Sequence, residues 1–433
     1  MGAALTRSLI WAVRFIKLEM SCGKPKIDFP TEIVQEGEVK ALVPKLSAFI
    51  EKPSEYAPSK APVFYNPVME LNRDLAVLAV QAYQKMVKHE ISICEPLAGC
   101  GIRGIRFAKE VDGVKKVVVN DINEKAYQLA KYNVKMNRLK KIVTVKNEDA
   151  NLLLARYAAP KKRFDVIDID PFGSPVPFLD SAIRATRDGG LLALTATDMA
   201  PLCGVHPKAC LRKYGGKPLR TEYCHELAVR LLIGCLATTA AKHEMGIKVL
   251  FSHSTDHYIR VYAVLIHGAK NADKSLKNMG YILHCFNCFH REASKNPFSE
   301  NFSLRCPECE FIMDYAGPLW LEKIADKDFL REIQIEAENR QLKNGNKIRK
   351  ILTLMRNELE APITYYVIDK ICDKLNLPTT SIKTVFENLK RDGFKASFTH
   401  FEPKGLRTDA TAKIIIKLLQ KAVCQERKTR SFK

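Results

Sequence analysis

From residue 91 onward the chain sorts its apolar residues into short runs separated by amphipathic stretches: ISICEP, KVVVND, IVTVKN, FDVIDID and GLLALTATD. Strand-length runs alternating with helix-period spacers predict repeated strand–helix–strand units, and so a parallel sheet with helices on both faces. IKVLFSHS and RVYAVLIHG break the alternation, because only TDHYI lies between them. That is too short for a right-handed crossover, so these two strands are expected to pair antiparallel as a hairpin. The class is α/β.

After Gly268 the pattern changes. HCFNCFHREASKNPFSENFSLRCPECEF places Cys285-x2-Cys288 and Cys306-x2-Cys309 with seventeen residues between the pairs. This spacing is that of a structural zinc site, in which four thiolates close a tetrahedral shell and leave no open position. Zinc held by Cys285, Cys288, Cys306 and Cys309 is therefore expected to staple a small ribbon. From Trp320 the chain reads as largely helical and basic. ITYYVIDKICDKLN and TTSIKTVFENLKRDG form two expected helices around the Leu377-Pro378 turn, the second capped by Thr379 or Thr380 and stopped at Gly393. The extended FKASFTHFEP that follows completes a pattern resembling a winged helix, a common nucleic-acid binder.

Charge narrows the partners. In 433 residues, 69 Lys+Arg face 48 Asp+Glu, a net +21 that favours a polyanion, with nucleic acid ahead of an anionic membrane surface. Residues 401–433 alone carry nine basic residues against three acids. The odd count of 13 cysteines, without secretory features, implies reduced thiols and an intracellular, cytoplasmic location. No uninterrupted apolar run reaches the roughly 20 residues of a bilayer span, so no membrane partner is expected. The opening MGAALTRSLIWAVRFIKLEM loosely fits a myristoylation pattern and mildly resembles a transit peptide, but reads best as an extension or as a start upstream of Met20. The sequon at Asn301 is discounted for a reduced chain.

The chemistry collects at the ends of the expected strands. In ICEPLAGCGIRGIRFA the first strand ends at Glu95, and Gly99, Gly101 and Gly104 open a helix. Glycines there permit a sharp turn and close approach of a ligand to the helix N-terminus. Asp121 ends the second strand twenty residues past Gly101, placed to accept ribose hydroxyls, and Asp149 follows the third strand, placed for an adenine amino group. A glycine loop, a ribose acid and an adenine acid at successive strand ends imply a nucleoside-bearing cofactor. A methionine moiety brings its own ammonium and carboxylate, for which Glu95 supplies an acid and Arg103 or Arg73 a cation. The terminal hairpin likewise resembles the S-adenosylmethionine-dependent, Rossmann-like class I methyltransferase fold more than an NAD dehydrogenase.

The fourth strand, FDVIDIDPFGSP, carries three acids. Asp165 begins it, Asp168 interrupts a buried run as an expected structural carboxylate, and Asp170 stands at the exit before Pro171. FYNPVMELNRD, PLAGCGIRGIRFA, DIDPFGSP and TATDMAPLCGVHPKACLRKYGGKPLRTEYCHE together resemble the tRNA (guanine-26, N2)-dimethyltransferase family, from about Glu36 to about Ile416. The resemblance implies tRNA as partner, S-adenosylmethionine as cofactor, Arg73, Arg103, Asp121, Asp149 and Ala150 as its contacts, and Asp170 as the catalytic acid. Aminomethyltransferases typically carry an Asp/Asn-Pro-Pro-aromatic turn here. This chain has Asp170-Pro171-Phe172-Gly173, without the second proline. Asp170 and the Pro171 carbonyl are expected to accept the two N–H groups of an exocyclic amine. A guanine inside helical RNA has to be turned out to reach them, with Phe172 as one stacking platform and Phe64 as the opposite face.

Cys203, His206, Cys210, Cys224 and His225 have no regular ligand spacing and are assigned to packing and substrate shaping. The expected organisation is an extension at 1–25, a methyltransferase domain at 26–270, a zinc ribbon at 271–319 and a basic tRNA-binding domain at 320–433, in a chain expected to be monomeric. The alternatives are a methyltransferase of the same class acting on another RNA or protein amine, and a non-enzymatic zinc-ribbon RNA-binding protein.

Overall fold

The computed structural model describes residues 27–50, 57–296 and 304–431. The expectations for the N-terminal extension and for the Asn301 sequon fall outside them. The chain begins with a hairpin that the apolar pattern did not announce, β1 (Thr31–Glu36) against β2 (Val39–Pro44). The next strands are β3 (Ile91–Glu95), β4 (Val114–Asn120), β5 (Val143–Lys146), β6 (Phe164–Ile169), β7 (Thr186–Ala196), β8 (Met245–Thr255) and β9 (Tyr258–His267). They form one seven-stranded sheet in the order β5-β4-β3-β6-β7-β9-β8. β3 to β7 pair in parallel, and β9 runs antiparallel to both β7 and β8, as the short TDHYI connection requires.

The apolar runs are continuous because both sheet faces are covered. Ile93, Val117, Val166 and Leu191 point to one face, and their neighbours Cys94, Val118, Ile167 and Leu192 to the other. Helix Glu70–Val87 covers the first face and helix Cys224–Ala241 the second. Among the described residues one helix, Cys224–Ala241, is long and apolar enough to cross a membrane, yet 72% of it is buried inside the protein. Its uniform hydrophobicity is that of a core helix packed on most of its circumference.

The core runs across the expected domain boundaries. β10 (Met279–His284), β11 (Arg291–Ser294) and β12 (Asp314–Trp320) form a three-stranded sheet in the order β11-β10-β12. Leu319 and Trp320 of β12 join the core beneath helix Cys224–Ala241. Gly234 makes that contact possible, since a Cβ there would lie 3.2 Å from the Leu319 Cα. Helices Lys327–Glu338 and Gly345–Glu358 bury Phe329, Ile333, Ile348 and Leu352 with Leu75 and Phe251, so the stretch after residue 320 completes the core around the seven-stranded sheet.

A separate apolar cluster gathers Tyr366 and the residues that follow it together with Phe289 of the ribbon. β13 (Tyr366–Val367), β14 (Ala396–Phe398) and β15 (Gly405–Thr408) form a sheet in the order β13-β15-β14 beside helices Ile368–Lys374 and Ile382–Arg391, a winged-helix arrangement. Two local expectations shift. Tyr366 pairs with Leu406 in the sheet, which delays the first helix to Ile368, and the second helix starts at Ile382 with Ser381, rather than Thr379 or Thr380, in the N-cap position and no side-chain capping bond. Gly393, at φ +86°, ends that helix as expected.

Candidate active site

The ends of β3, β4, β5 and β6 lie side by side at one edge of the sheet. Beyond β3 the chain turns through Gly99 (φ +54°) and Gly101 (φ +77°) into helix Ile102–Glu110. A side chain at Gly99 would come within 3.0 Å of the Phe64 carbonyl, so the loop presents bare backbone there. Asp121, just past β4, braces this loop: Oδ2 accepts the Gly99 N–H at 2.7 Å and Oδ1 accepts that of Asn123 at 2.9 Å. Asp149 caps helix Ala150–Arg156, its Oδ1 accepting the Leu152 N–H at 3.0 Å, and Ala150 is buried behind it.

Glu95 is buried, and its carboxyl accepts the Gly104 N–H at 2.8 Å. Burial pushes the carboxyl up to about 8 although Arg103 opposes the rise from 3.4 Å. Arg103 donates at once to Asn72 Oδ1, at 2.7 Å, and to the Asp170 carboxylate. Burial would raise the Asp170 carboxyl, but the guanidinium groups of Arg103 and Arg260 and the Thr195 hydroxyl outweigh it and hold the carboxyl below the usual range. Asp170 therefore stands as a carboxylate. Asp168 serves the scaffold: Arg260 grips it with both terminal nitrogens and also donates to Thr195.

The turn after Asp170 is fixed to β7. Gly173 N–H donates to Thr197 Oγ1 at 2.8 Å, and its carbonyl accepts the Thr197 N–H at 2.9 Å. The ladder-like clamp, with Gly173 at φ +77°, holds the turn that lacks a second proline.

Two expectations take a different form. Arg73 grips Glu36 of β1 with two N–H groups at 2.6 Å and donates to the Asn66 carbonyl at 3.1 Å, so it locks the N-terminal hairpin onto helix Glu70–Val87. Phe64 and Phe172 do not flank a slot. Their ring centroids are 4.5 Å apart at 79°, edge to face, and a base enters between them only after one ring swings aside. Phe172 is 70% exposed and has the room to do so.

Sequence reasoning passed over Asn72, Thr195, Arg260 and Glu36. Asn72 is wholly buried beside Arg103, and its Nδ2 has no hydrogen-bond partner among the described residues. It stands one residue before Arg73 in NRD, and Thr195 stands in TATD, so both were within quoted motifs. Arg260 carries no local signal, because its partner Asp168 lies 92 residues away.

The four ribbon cysteines meet. Their Sγ atoms all lie within 4.8 Å of one another, with Cys285–Cys309 at 3.5 Å and Cys288–Cys306 at 3.4 Å. Each pair sits in a matching turn, with Phe289 (φ +64°) and Glu310 (φ +58°) following the second cysteine. Four converging free thiols fit a tetrahedral four-sulfur metal site.

A parallel sheet in which β9 alone is reversed, with acids at successive strand ends, is the fold of S-adenosylmethionine-dependent methyltransferases. Residues 37–420 match the family described as N2,N2-dimethylguanosine tRNA methyltransferase, and the chain belongs to that family. A relative from Methanosphaera stadtmanae named tRNA (guanine(26)-N(2))-dimethyltransferase is 44% identical over 379 residues, 88% of this chain and 94% of that protein. One of the same name from Methanobrevibacter smithii is 42% identical over 393 residues, 91% of this chain and 98% of that protein. The solved complex of Trm1 from Pyrococcus horikoshii with S-adenosyl-L-methionine is 35% identical, with a TM-score of 0.78 over 90% of this chain and 99% of that one.

Proposed function

We propose that this chain transfers one or two methyl groups from S-adenosylmethionine to the exocyclic N2 of guanine at position 26 of tRNA. The observation that carries the reading is near-full-length similarity, at 44% and 42% identity, to relatives named for that reaction. When bound, S-adenosylmethionine supplies a methyl group on a cationic sulfur. The residues proposed to hold it are Glu95, Gly99, Gly101, Arg103, Asp121, Asp149 and Ala150, with Arg73 contributing from its pairing with Glu36.

Asp170 is the proposed catalytic residue. As a carboxylate held low by Arg103, it accepts an N–H of the flipped base and aims the nitrogen, and it offsets positive charge developing on N2. A carboxylate this weakly basic orients the amine rather than deprotonating the neutral group, and the N2 proton leaves only once methylation has made it acidic. Pro171 offers its carbonyl to the second N–H. After one methylation a single N–H remains, which Asp170 alone satisfies, so a second round needs no change in the site.

Zinc is the proposed metal for Cys285, Cys288, Cys306 and Cys309, as a structural staple. The winged-helix portion of the basic 320–433 region is proposed to hold tRNA, in a monomeric, cytoplasmic enzyme. Nucleoside analysis of an unmodified transcript incubated with the protein and S-adenosylmethionine tests the reaction. Mono- and dimethylated N2-guanosine mapping to position 26 are expected. Methylation confined to adenosine or to protein amines would overturn the assignment.

A further inference from the structure

We infer that Cys203, Cys224 and His225 form a second metal site, distinct from the ribbon and suited to Zn2+. Cys203 follows the short helix Met199–Leu202, and Cys224 and His225 open helix Cys224–Ala241, some twenty residues later. Sequence spacing hides the group, yet the fold brings one ligand atom from each within 4.8 Å of the other two. His206 and Cys210, their neighbours in sequence, stay outside it.

The donors match a borderline-soft ion. Two thiolates and one imidazole are a zinc-type set, and three protein ligands leave a fourth position for water or another donor. Two sulfurs on a tetrahedral zinc at about 2.3 Å would be about 3.8 Å apart. The observed ceiling of 4.8 Å therefore asks for a closure of about 1 Å or less. All three residues are half-buried, which leaves an approach for the ion.

The backbone around them is tightly set. Gly204, at φ +85°, packs so closely that a Cβ would lie 2.7 Å from the Arg220 nitrogen and 2.8 Å from the Leu219 carbonyl carbon. The loop bearing Cys203 is thus pressed against the segment leading into Cys224. The Cys224 N–H donates to the Thr221 carbonyl at 3.2 Å, fixing the turn that presents the Cys224–His225 pair. A thiolate there also faces the positive end of an 18-residue helix. A metal would tie this helix to the end of helix Met199–Leu202, which starts two residues after Thr197, the residue that clamps the Asp170 turn, so the site is placed to hold the wall of the active site in register.

The test is metal content of the full-length protein, purified under reducing conditions and loaded with Zn2+ or Co2+. Two equivalents per chain are expected, falling to one in Cys224→Ser and in His225→Gln, while Cys306→Ser loses the ribbon equivalent and keeps this one. Cobalt-loaded wild-type protein is expected to show two sets of thiolate-to-metal bands, the weaker from the two-sulfur site, a readout that does not depend on any variant folding. Unchanged metal content in both Cys224→Ser and His225→Gln, a single four-sulfur spectrum in the wild type, or isolation of the reduced-purified chain with a Cys203–Cys224 disulfide would overturn the inference.

Discussion

The Arg103 guanidinium and the Asp170 carboxylate form an ion pair beyond the ends of β3 and β6, with Arg103 also held by Asn72. One residue lies in the helix after the glycine loop and the other in the turn after β6, so the pair joins the expected cofactor half of the site to the expected substrate half. Arg103 thereby sets the ionisation and direction of the proposed catalytic group.

Asp170→Asn keeps the shape of the side chain but replaces an acceptor-only group with one that presents a donor to the amine. The expected loss in kcat is about 10²–10³-fold, with S-adenosylmethionine affinity little changed. Single-turnover methylation beside calorimetry of cofactor binding separates the two quantities. Turnover equal to wild type would remove Asp170 from the mechanism.

Replacing Arg103 by Gln removes the main cation opposing burial at Asp170. In the wild type the carboxyl lies below its usual value, so no acid limb from Asp170 is expected above about pH 5. In Arg103→Gln the balance tips toward burial, the carboxyl rises, and activity should fall on the acid side at a higher pH than before. A pH–rate profile of both proteins reads the shift. An unchanged acid limb would place Arg103 with the cofactor alone.

Phe172 is mostly exposed and Phe64 touches its edge, so Phe172→Ala should alter stability by no more than about 0.5 kcal/mol. If the rings part to stack a base, each alanine variant loses about 1–3 kcal/mol of substrate interaction, or roughly 5- to 150-fold in kcat/KM for tRNA. Cofactor affinity should hold. Equal losses in cofactor and tRNA terms would show that the pair shapes the pocket without stacking.

Glu95 makes stability fall with rising pH. Its carboxyl sits near 8 in the folded protein, above the ordinary 4.5, so between those values the folded chain keeps a proton that the unfolded chain releases. The contribution is present below about pH 4.5 and is lost progressively as pH climbs through 8, by up to about 5 kcal/mol. Glu95→Gln should flatten that dependence in denaturant titrations at pH 5 and pH 8. An ammonium group binding beside Glu95 would favour the ionised form, so cofactor binding near pH 7 should release a proton, measurable by calorimetry in buffers of different ionisation enthalpy.

The winged-helix portion is welded to the core through Arg407, which pairs with Glu226 at 2.9 Å and with Glu358 at 2.5 Å. Burial would raise the Glu358 carboxyl, but Arg407 and His400 bring it down to about 2. Its folded value is depressed, so its contribution is complete above about pH 4.5 and fades as pH falls toward 2. Arg407→Met leaves two buried carboxylates short of a partner and should destabilise the chain by about 3–5 kcal/mol. Urea unfolding at pH 7 measures it. A loss confined to the winged-helix cluster, seen by hydrogen exchange, would show that the weld is local.

Much of the site was readable because its signals are local. The strand ends at Glu95, Asp121 and Asp170 follow from apolar runs that stop at an acid, and Gly99 and Gly101 adopt the left-handed angles that only glycine takes without strain. The four ribbon cysteines announced themselves by paired spacing. Tyr366 was read as helical because its strand is two residues long and takes its partner from Leu406, forty positions ahead. The β1–β2 hairpin went unread for a similar reason: Val39, Ala41 and Val43 are buried against helices that come later in the chain.

From the sequence alone came the order of β3 to β9, the reversed last hairpin and the identity of the acids at the ends of those strands, because periodicity and turn chemistry act over a few neighbouring positions. Tertiary structure decided which charges meet. Arg73 with Glu36, Arg103 with Asp170, Arg260 with Asp168 and the gathering of Cys203 with Cys224 and His225 join segments up to 92 residues apart. In a buried site of low polarity every cation needs a partner, and packing alone determines which acid is within reach.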